Sequence, residues 1–175
     1  MVGKGVRPEI RKLQNRTEAE TCARMMASSE PWLTLRRDFD DSLELISDPS
    51  REVYLAVFNG EIVGFIVLVM PGALVGYVQS IYVAEDWRGK GIGRQLMAFA
   101  EKRIFSEAPN VFICVSSFNK DAQRLYRRLG YRAVGQLKDY IIPGHSEILL
   151  RKTICSMTEF KKKHNEVRHG SLSYR

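Results

Sequence analysis

Cysteine, histidine and long apolar runs are scarce in this chain, and each scarcity removes a class of protein. The three cysteines, Cys22, Cys114 and Cys155, are far apart and form no C-x-x-C pair. They supply neither a disulfide framework nor a structural zinc site. Three histidines add few ligands, and His164 and His169 sit among basic residues near the C-terminus, so no metal is expected. The longest apolar run, Ile62–Met70, has nine residues and contains Gly64, whereas a bilayer-spanning helix needs about 20. Residues 1–12 hold no apolar stretch followed by a small-residue cleavage site. These absences read as a soluble, cytoplasmic protein without a membrane partner. Internal repeats and low-complexity segments are missing as well. The 175 residues suit one core, and 45% hydrophobic content is too high for a disordered chain.

Acidic residues are outnumbered, 20 against 27 basic, for a net charge of +7. Much of the excess lies in 156–175, where Lys161, Lys162, Lys163, Arg168 and Arg175 face only Glu159 and Glu166. The expected organisation is a domain over 1–155 and a basic, solvated, flexible tail over 156–175. A polyanion contact through that tail is the competing reading. No aromatic interleaving or nucleic-acid motif accompanies the charge, so nucleic acid is not an expected partner.

Periodicity gives the element order. A strand is expected over Glu9–Leu13. Thr17 and Glu20 have capping-box spacing before a helix carrying Ala19, Cys22, Ala23, Met26 and Ala27. A second helix is expected over Leu35–Ile46, stopped by Asp48-Pro49-Ser50. Asn59-Gly60 separates two β-branched runs and predicts a hairpin over Val53–Phe58 and Glu61–Val69. A strand over Gly76–Val83 precedes a helix over Gly91–Ser106, striped with Ile92, Leu96, Phe99, Ala100 and Ile104. Then come a strand at Val111–Val115, a helix from Asn119 to Gly130, and strands at Tyr131–Leu137 and Glu147–Lys152. An antiparallel meander running into a β-α-β unit predicts an α/β (α+β) fold with a mixed sheet.

The most informative stretch is Arg88-Gly89-Lys90-Gly91-Ile92-Gly93 between a strand and a helix. Alternating glycines let backbone N–H groups point outward together, and the positive helix end adds to them, so the turn suits a phosphate or pyrophosphate. Arg88, Lys90 and Arg94 reinforce the charge. The chain has no G-x-x-x-x-G-K-[ST] string, and neither Gly89 nor Gly91 begins G-x-G-x-x-G, which excludes Walker and dinucleotide loops.

This block, with Ile81-Tyr82-Val83 before it, resembles the acyl-CoA signature of the GNAT superfamily of N-acyltransferases. Asn119, Ala122, Leu125, Tyr126 and Leu129-Gly130-Tyr131 resemble the family's N-x-x-A-x-x-[LF]-Y-x-x-x-G-[FY], and element order is similar from about residue 9 to 152. The resemblance implies a mostly antiparallel sheet of about seven strands flanked by about four helices. It implies a V-shaped gap between the strands at 76–83 and 110–116 that admits pantetheine against the backbone of Ile81, Tyr82 and Val83. The pyrophosphate would rest on Arg88, Gly89, Lys90, Gly91, Ile92, Gly93 and Arg94, with Asn119 and Tyr126 completing the cofactor site. Acetyl-CoA is the implied co-substrate, without a metal. Tyr126 is the implied general acid for the departing thiolate, since a phenol near pKa 10 is protonated at neutral pH.

The attacking amine must also lose a proton. Some protein-acetylating members place a Glu or His five residues before the motif asparagine, and Cys114 stands there. The candidates left are Glu30, Tyr77, Tyr82 and a backbone-held water, with the water route favoured and Glu30 orienting the amine. The segment Ser28–Glu44 is expected to line the acceptor side with Glu30, Asp38, Asp40, Asp41 and Glu44. The implied acceptor is a primary amine: a peptide N-terminus, a lysine or a small amine, with polycations disfavoured by the +7 charge. A homodimer stays open. The alternative function is a non-catalytic module that senses acyl-CoA or binds a polyanion.

Overall fold

A computed structural model describes residues 6–170, with side chains to 163. Seven strands form one sheet: β1 (Glu9–Lys12), β2 (Arg51–Phe58), β3 (Glu61–Val69), β4 (Tyr77–Val83), β5 (Asn110–Ser116), β6 (Arg132–Lys138) and β7 (Ser146–Thr153). The helices are α1 (Arg16–Ala27), α2 (Phe39–Ser47), α3 (Ile92–Phe105), α4 (Lys120–Arg128) and α5 (Met157–Gly170). Strand order is β1-β2-β3-β4-β5-β7-β6, and the β4–β5 pair alone is parallel. That parallel pair is joined by α3, as a crossover requires. The expected mixed, mostly antiparallel sheet is observed.

The two faces of the sheet carry separate cores. Ala19, Cys22 and Met26 of α1 and Leu45 and Ile46 of α2 pack on Val53, Leu55, Phe65, Val67 and Tyr82. On the other face, Ile92, Leu96, Met97, Ala100 and Ile104 of α3 pack on Ile66, Leu68, Val78, Ile113 and Val115. Strand alternation makes both faces possible from one run of residues. Phe99, expected in the apolar stripe, is half-buried and packs edge-on against Tyr54 at 4.7 Å.

Three local expectations are corrected. The N-cap of α1 is Asn15, whose side chain accepts from the Glu18 amide at 3.0 Å. Glu18 in turn accepts from the Gln14 amide at 2.8 Å, so the box sits two residues before Thr17. The second helix starts at Phe39, capped by Asp38, because Arg36 has φ of +55° and no helix continues through it. Residues 157–170 form α5 where a flexible tail was expected. Its start is capped by a Ser156–Glu159 pair, with the Ser156 amide donating to Glu159 at 2.8 Å, and Phe160 is buried. Residues 171–175 of that expected tail lie outside the described residues. No helix among the described residues is long and apolar enough to cross a membrane.

Gly76 sets where β4 meets β5. Its carbonyl accepts the Phe112 amide at 3.0 Å, and its φ is +82°. A Cβ there would collide with the Ile104 side chain and stand 2.7 Å from the Asn110 carbonyl oxygen. Gly60 has φ of +80° with nothing within 4 Å. Gly76→Ala should therefore cost about 3 kcal/mol from strain plus overlap. That corresponds to a Tm fall on the order of 10 °C. Gly60→Ala should cost only about 1 kcal/mol of left-handed strain, and paired melting curves separate the two.

Candidate active site

The site begins where the sheet parts. β4 and β5 pair only at Tyr77↔Phe112 and Val78↔Ile113. β3 follows β4 to Gly64↔Val83, while β7 follows β5 to Ser116↔Glu147. A bulge on β4 aligns Val67 with Ser80 and Leu68 with Val78, leaving Gln79 without a partner on β3. Bulges bend a strand and increase its twist. Beyond Val78, β4 thus offers an edge unpaired with β5, and the gap opens into a cleft of about 1280 Å³.

The R-G-K-G-I-G turn closes one end of this cleft. Gly89 and Gly91 have φ of +74° and +84°, and a Cβ on either would meet nothing within 4 Å. Their backbone conformation is what calls for glycine, and it leaves the turn open to a ligand. Gly93 differs: its φ is not positive, and a Cβ there would make only ordinary contacts, 3.6 Å from Val83 and 3.7 Å from Leu125. The start of α3 has no side-chain cap, and the Gln95 amide donates to Gly91 at 3.1 Å. The amides before it, of Ile92, Gly93 and Arg94, are the free donors that every helix start presents. With the helix dipole they form an anion site.

Arg88, Gly89, Gly91, Ile92, Gly93, Arg94, Ile81, Val83, Asn119 and Tyr126 all line one cleft. Two of the expected residues stand apart. The Lys90 ammonium lies over the Trp87 ring at 4.8 Å, and the Tyr82 ring is buried against Phe65 at 5.3 Å. Arg88 donates through Nε to the Val83 carbonyl at 3.2 Å. Asn119 caps α4 by accepting from the Ala122 amide at 3.1 Å. Gln123 fastens the same helix to the end of β5, donating to the Ser116 carbonyl at 3.0 Å.

Tyr126 is buried and stands edge-on to Tyr131 at 5.9 Å. Among the described residues its hydroxyl has no hydrogen-bond partner, and burial raises its pKa. It is a phenol at any working pH, which suits a proton donor. Burial raises the pKa of Tyr77 in the same way, and that of Cys114. These two touch, and both stay protonated. Among the base candidates, Tyr77 and Tyr82 are thus poorly suited to accept a proton, the first held as phenol and the second packed away. The exposed Glu30 accepts from the Thr34 hydroxyl at 3.0 Å and borders a smaller cavity of about 500 Å³ rather than the main cleft.

Part of the segment Ser28–Glu44 borders the cleft, but not through the carboxylates expected there. Pro31, Trp32, Leu35, Arg37 and Leu45 line the cleft, while Asp40, Asp41 and Glu44 are exposed on α2 and Asp38 caps it. Asp121, exposed in the first turn of α4, borders the cleft, and so does a buried carboxylate, Glu147 of β7, 5% exposed. It accepts from the Ser116 hydroxyl at 2.5 Å. Burial raises its pKa and the Ser116 hydrogen bond opposes that rise. Sequence reading missed it because Glu147 only begins a strand there, and no local spacing ties it to Ser116. Among the described residues no group of three or more His, Cys, Asp or Glu is placed to hold a metal.

An open sheet edge, an uncapped helix start and a buried phenol surround one cleft of an α/β protein, an arrangement that suits a phosphate-bearing ligand. The chain belongs to the acetyltransferase (GNAT) family, whose profile matches residues 13–131. It is 35% identical over 91 residues to an aminoalkylphosphonate N-acetyltransferase of Salmonella typhimurium, covering 49% of this chain and 59% of that one. An N-alpha-acetyltransferase of Sulfurisphaera tokodaii is 30% identical over 122 residues, covering 62% and 72%. The chain spans about three fifths of the length of several curated relatives that it matches, at 59%, 64% and 57%. An aminoglycoside 6'-N-acetyltransferase solved with coenzyme A superposes with a TM-score of 0.68 at 20% identity, covering 85% of this chain and 98% of that one.

Gly91→Glu places bulk and negative charge on the anion turn where the space is open. The fold should survive with about 1–2 kcal/mol of backbone strain. Coenzyme A binding, measured by calorimetry, should be lost.

Proposed function

We propose that this protein is an acetyl-CoA-dependent N-acetyltransferase that moves the acetyl group directly to a primary amine. The observation that carries the reading is the parting of β4 from β5 beside the open glycine turn. The unpaired β4 edge from Gln79 to Val83 suits the amide-bearing pantetheine arm, as a strand edge suits any extended chain. The amides of Ile92, Gly93 and Arg94 suit the pyrophosphate. Tyr126 reaches the cleft from α4 and would protonate the thiolate as the C–S bond breaks. Direct transfer fits the thiol that borders the cleft, since Cys114 is held as a thiol by burial.

The acceptor end supports a narrower reading. Leu35, Leu74, Leu137, Tyr140 and Ile141 line its walls, and Leu74, Leu137, Tyr140 and Ile141 are exposed large hydrophobics. Such walls suit an amine carried on an apolar body, a peptide N-terminus with apolar side chains or a small apolar amine, over a polycationic sugar. The test is coenzyme A release with acetyl-CoA across a panel of apolar amines, peptides and aminoglycosides. Turnover is expected with the apolar amines or peptides, and none above background with any amine would overturn the proposal. With the best acceptor, Tyr126→Phe should keep acetyl-CoA affinity within about twofold. A general acid contributes roughly 10²–10⁴-fold, and thiolate is a fair leaving group, so kcat should fall at least about tenfold.

A further inference from the structure

Glu147 is a buried acid without a counter-charge. Among the described residues it forms no ion pair, and its one recorded hydrogen bond is the Ser116 hydroxyl on Oε1 at 2.5 Å. Burying an ionised carboxylate without a cation is costly. The second oxygen accepts nothing from the fold, and the residue borders the cleft. Strand alternation explains its direction. Ile113, Val115 and Leu150 point into the α3–α4 core, so Cys114, Ser116 and Glu147 point to the opposite face. Tyr126 belongs to the α3–α4 side. The two groups therefore approach the parted strands from opposite faces of the sheet.

Resting on the acetyltransferase reading above, we infer that the Glu147 carboxylate receives the acceptor's ammonium in the cleft and takes the proton that the nitrogen must lose before attack. The ammonium R–NH₃⁺ gives one proton to Glu147, and the freed lone pair forms the N–C bond to the thioester carbonyl. The C–S bond breaks, its electron pair leaves on sulfur, and the thiolate takes the Tyr126 proton. The nitrogen's second proton restores Tyr126, and Glu147 releases the first to solvent. One proton ends on coenzyme A and one in water, so the transfer balances. Glu147 thereby fills the role left empty by Cys114.

The groups facing Glu147 decide its titration. Ser116 and Cys114 come from β5 and Tyr77 from β4, all uncharged near neutrality. Arg37, Asp121 and Arg128 border the same cleft, and Lys138 is exposed on β6. None of these four contributes to the shift of Glu147, which is upward by burial and downward by Ser116. The base works ionised, so kcat/KM rises with pH through its pKa, and removing the Ser116 hydroxyl must move that limb to higher pH.

The experiment measures pH profiles of kcat/KM for the parental chain, Glu147→Gln and Ser116→Ala with the best acceptor of the panel. Acetyl-CoA calorimetry and melting curves run alongside. Glu147→Gln should bind acetyl-CoA within twofold of the parent, lose the acidic limb and fall by about 10²-fold or more at neutral pH. Ser116→Ala should keep the high-pH plateau and shift its acidic limb upward, which a merely structural serine would not do. A Glu147→Gln profile within threefold of the parent with its limb intact overturns the inference. So does a Ser116→Ala limb that stays in place, which also decides the matter if Glu147→Gln fails to fold. If the parental chain acetylates no amine, the acetyltransferase reading fails and takes this one with it. Parental turnover with an unaffected Glu147→Gln sinks this inference alone.

Discussion

Two backbone pairings, Tyr77 with Phe112 and Val78 with Ile113, hold the two halves of the sheet together across β4 and β5. Everything that distinguishes the site follows from their ending there. A sheet fully paired through Val83 would have no free edge and no way through. Its parallel strands would lie about 4.8 Å apart, too close for a ligand. The bulge at Gln79 marks where β4 departs from a regular ladder. The antiparallel partners on either side, β3 and β7, continue to Gly64↔Val83 and Ser116↔Glu147 and so back both lips of the opening.

The cleft separates its chemistry by face. Helix α4 brings Tyr126 from one side, dry enough to keep its proton. Strand β7 brings Glu147 from the other, opposite Ser116. Pairs of titratable groups whose surroundings drive them toward different protonation states are what acid–base transfer needs. Burial makes Tyr126 a reluctant acid toward water, while the Ser116 hydroxyl helps Glu147 keep its charge. The same low-dielectric setting holds Tyr77 and Cys114 neutral, so Glu147 is not surrounded by competing anions.

The charged side chains that border the cleft are Arg37, Arg88, Arg94, Asp121, Arg128 and Glu147. The acidic side chains of α2 face outward or cap the helix, and the segment preceding it turns Trp32 and Leu35 to the cleft. Cations gather at the glycine turn instead. Lys90 is folded over Trp87 and Arg88 rests on the Val83 carbonyl, which leaves the exposed Arg94 and the helix amides facing the opening. The glycine turn and the apolar walls thus border different parts of one cleft.

Local chemistry determined a large part of this by itself. Asn59-Gly60 dictates a hairpin because both residues tolerate positive φ. Alternating glycines at 89, 91 and 93 declare an anion turn, and the Asn119–Tyr126 spacing declares a helix facing it. Competing local signals misled where two caps lay close together, as at Asn15 and Thr17, or where a capping pair such as Ser156–Glu159 stood in a run of charge. What only the tertiary structure decided is which distant residues share a face. Whether Glu147 reaches the cleft depends on cross-strand register, and Ser116 meets it only because β7 returns antiparallel beside β5. A one-residue slip would turn Glu147 to the opposite face, and no sequence-local rule records that register.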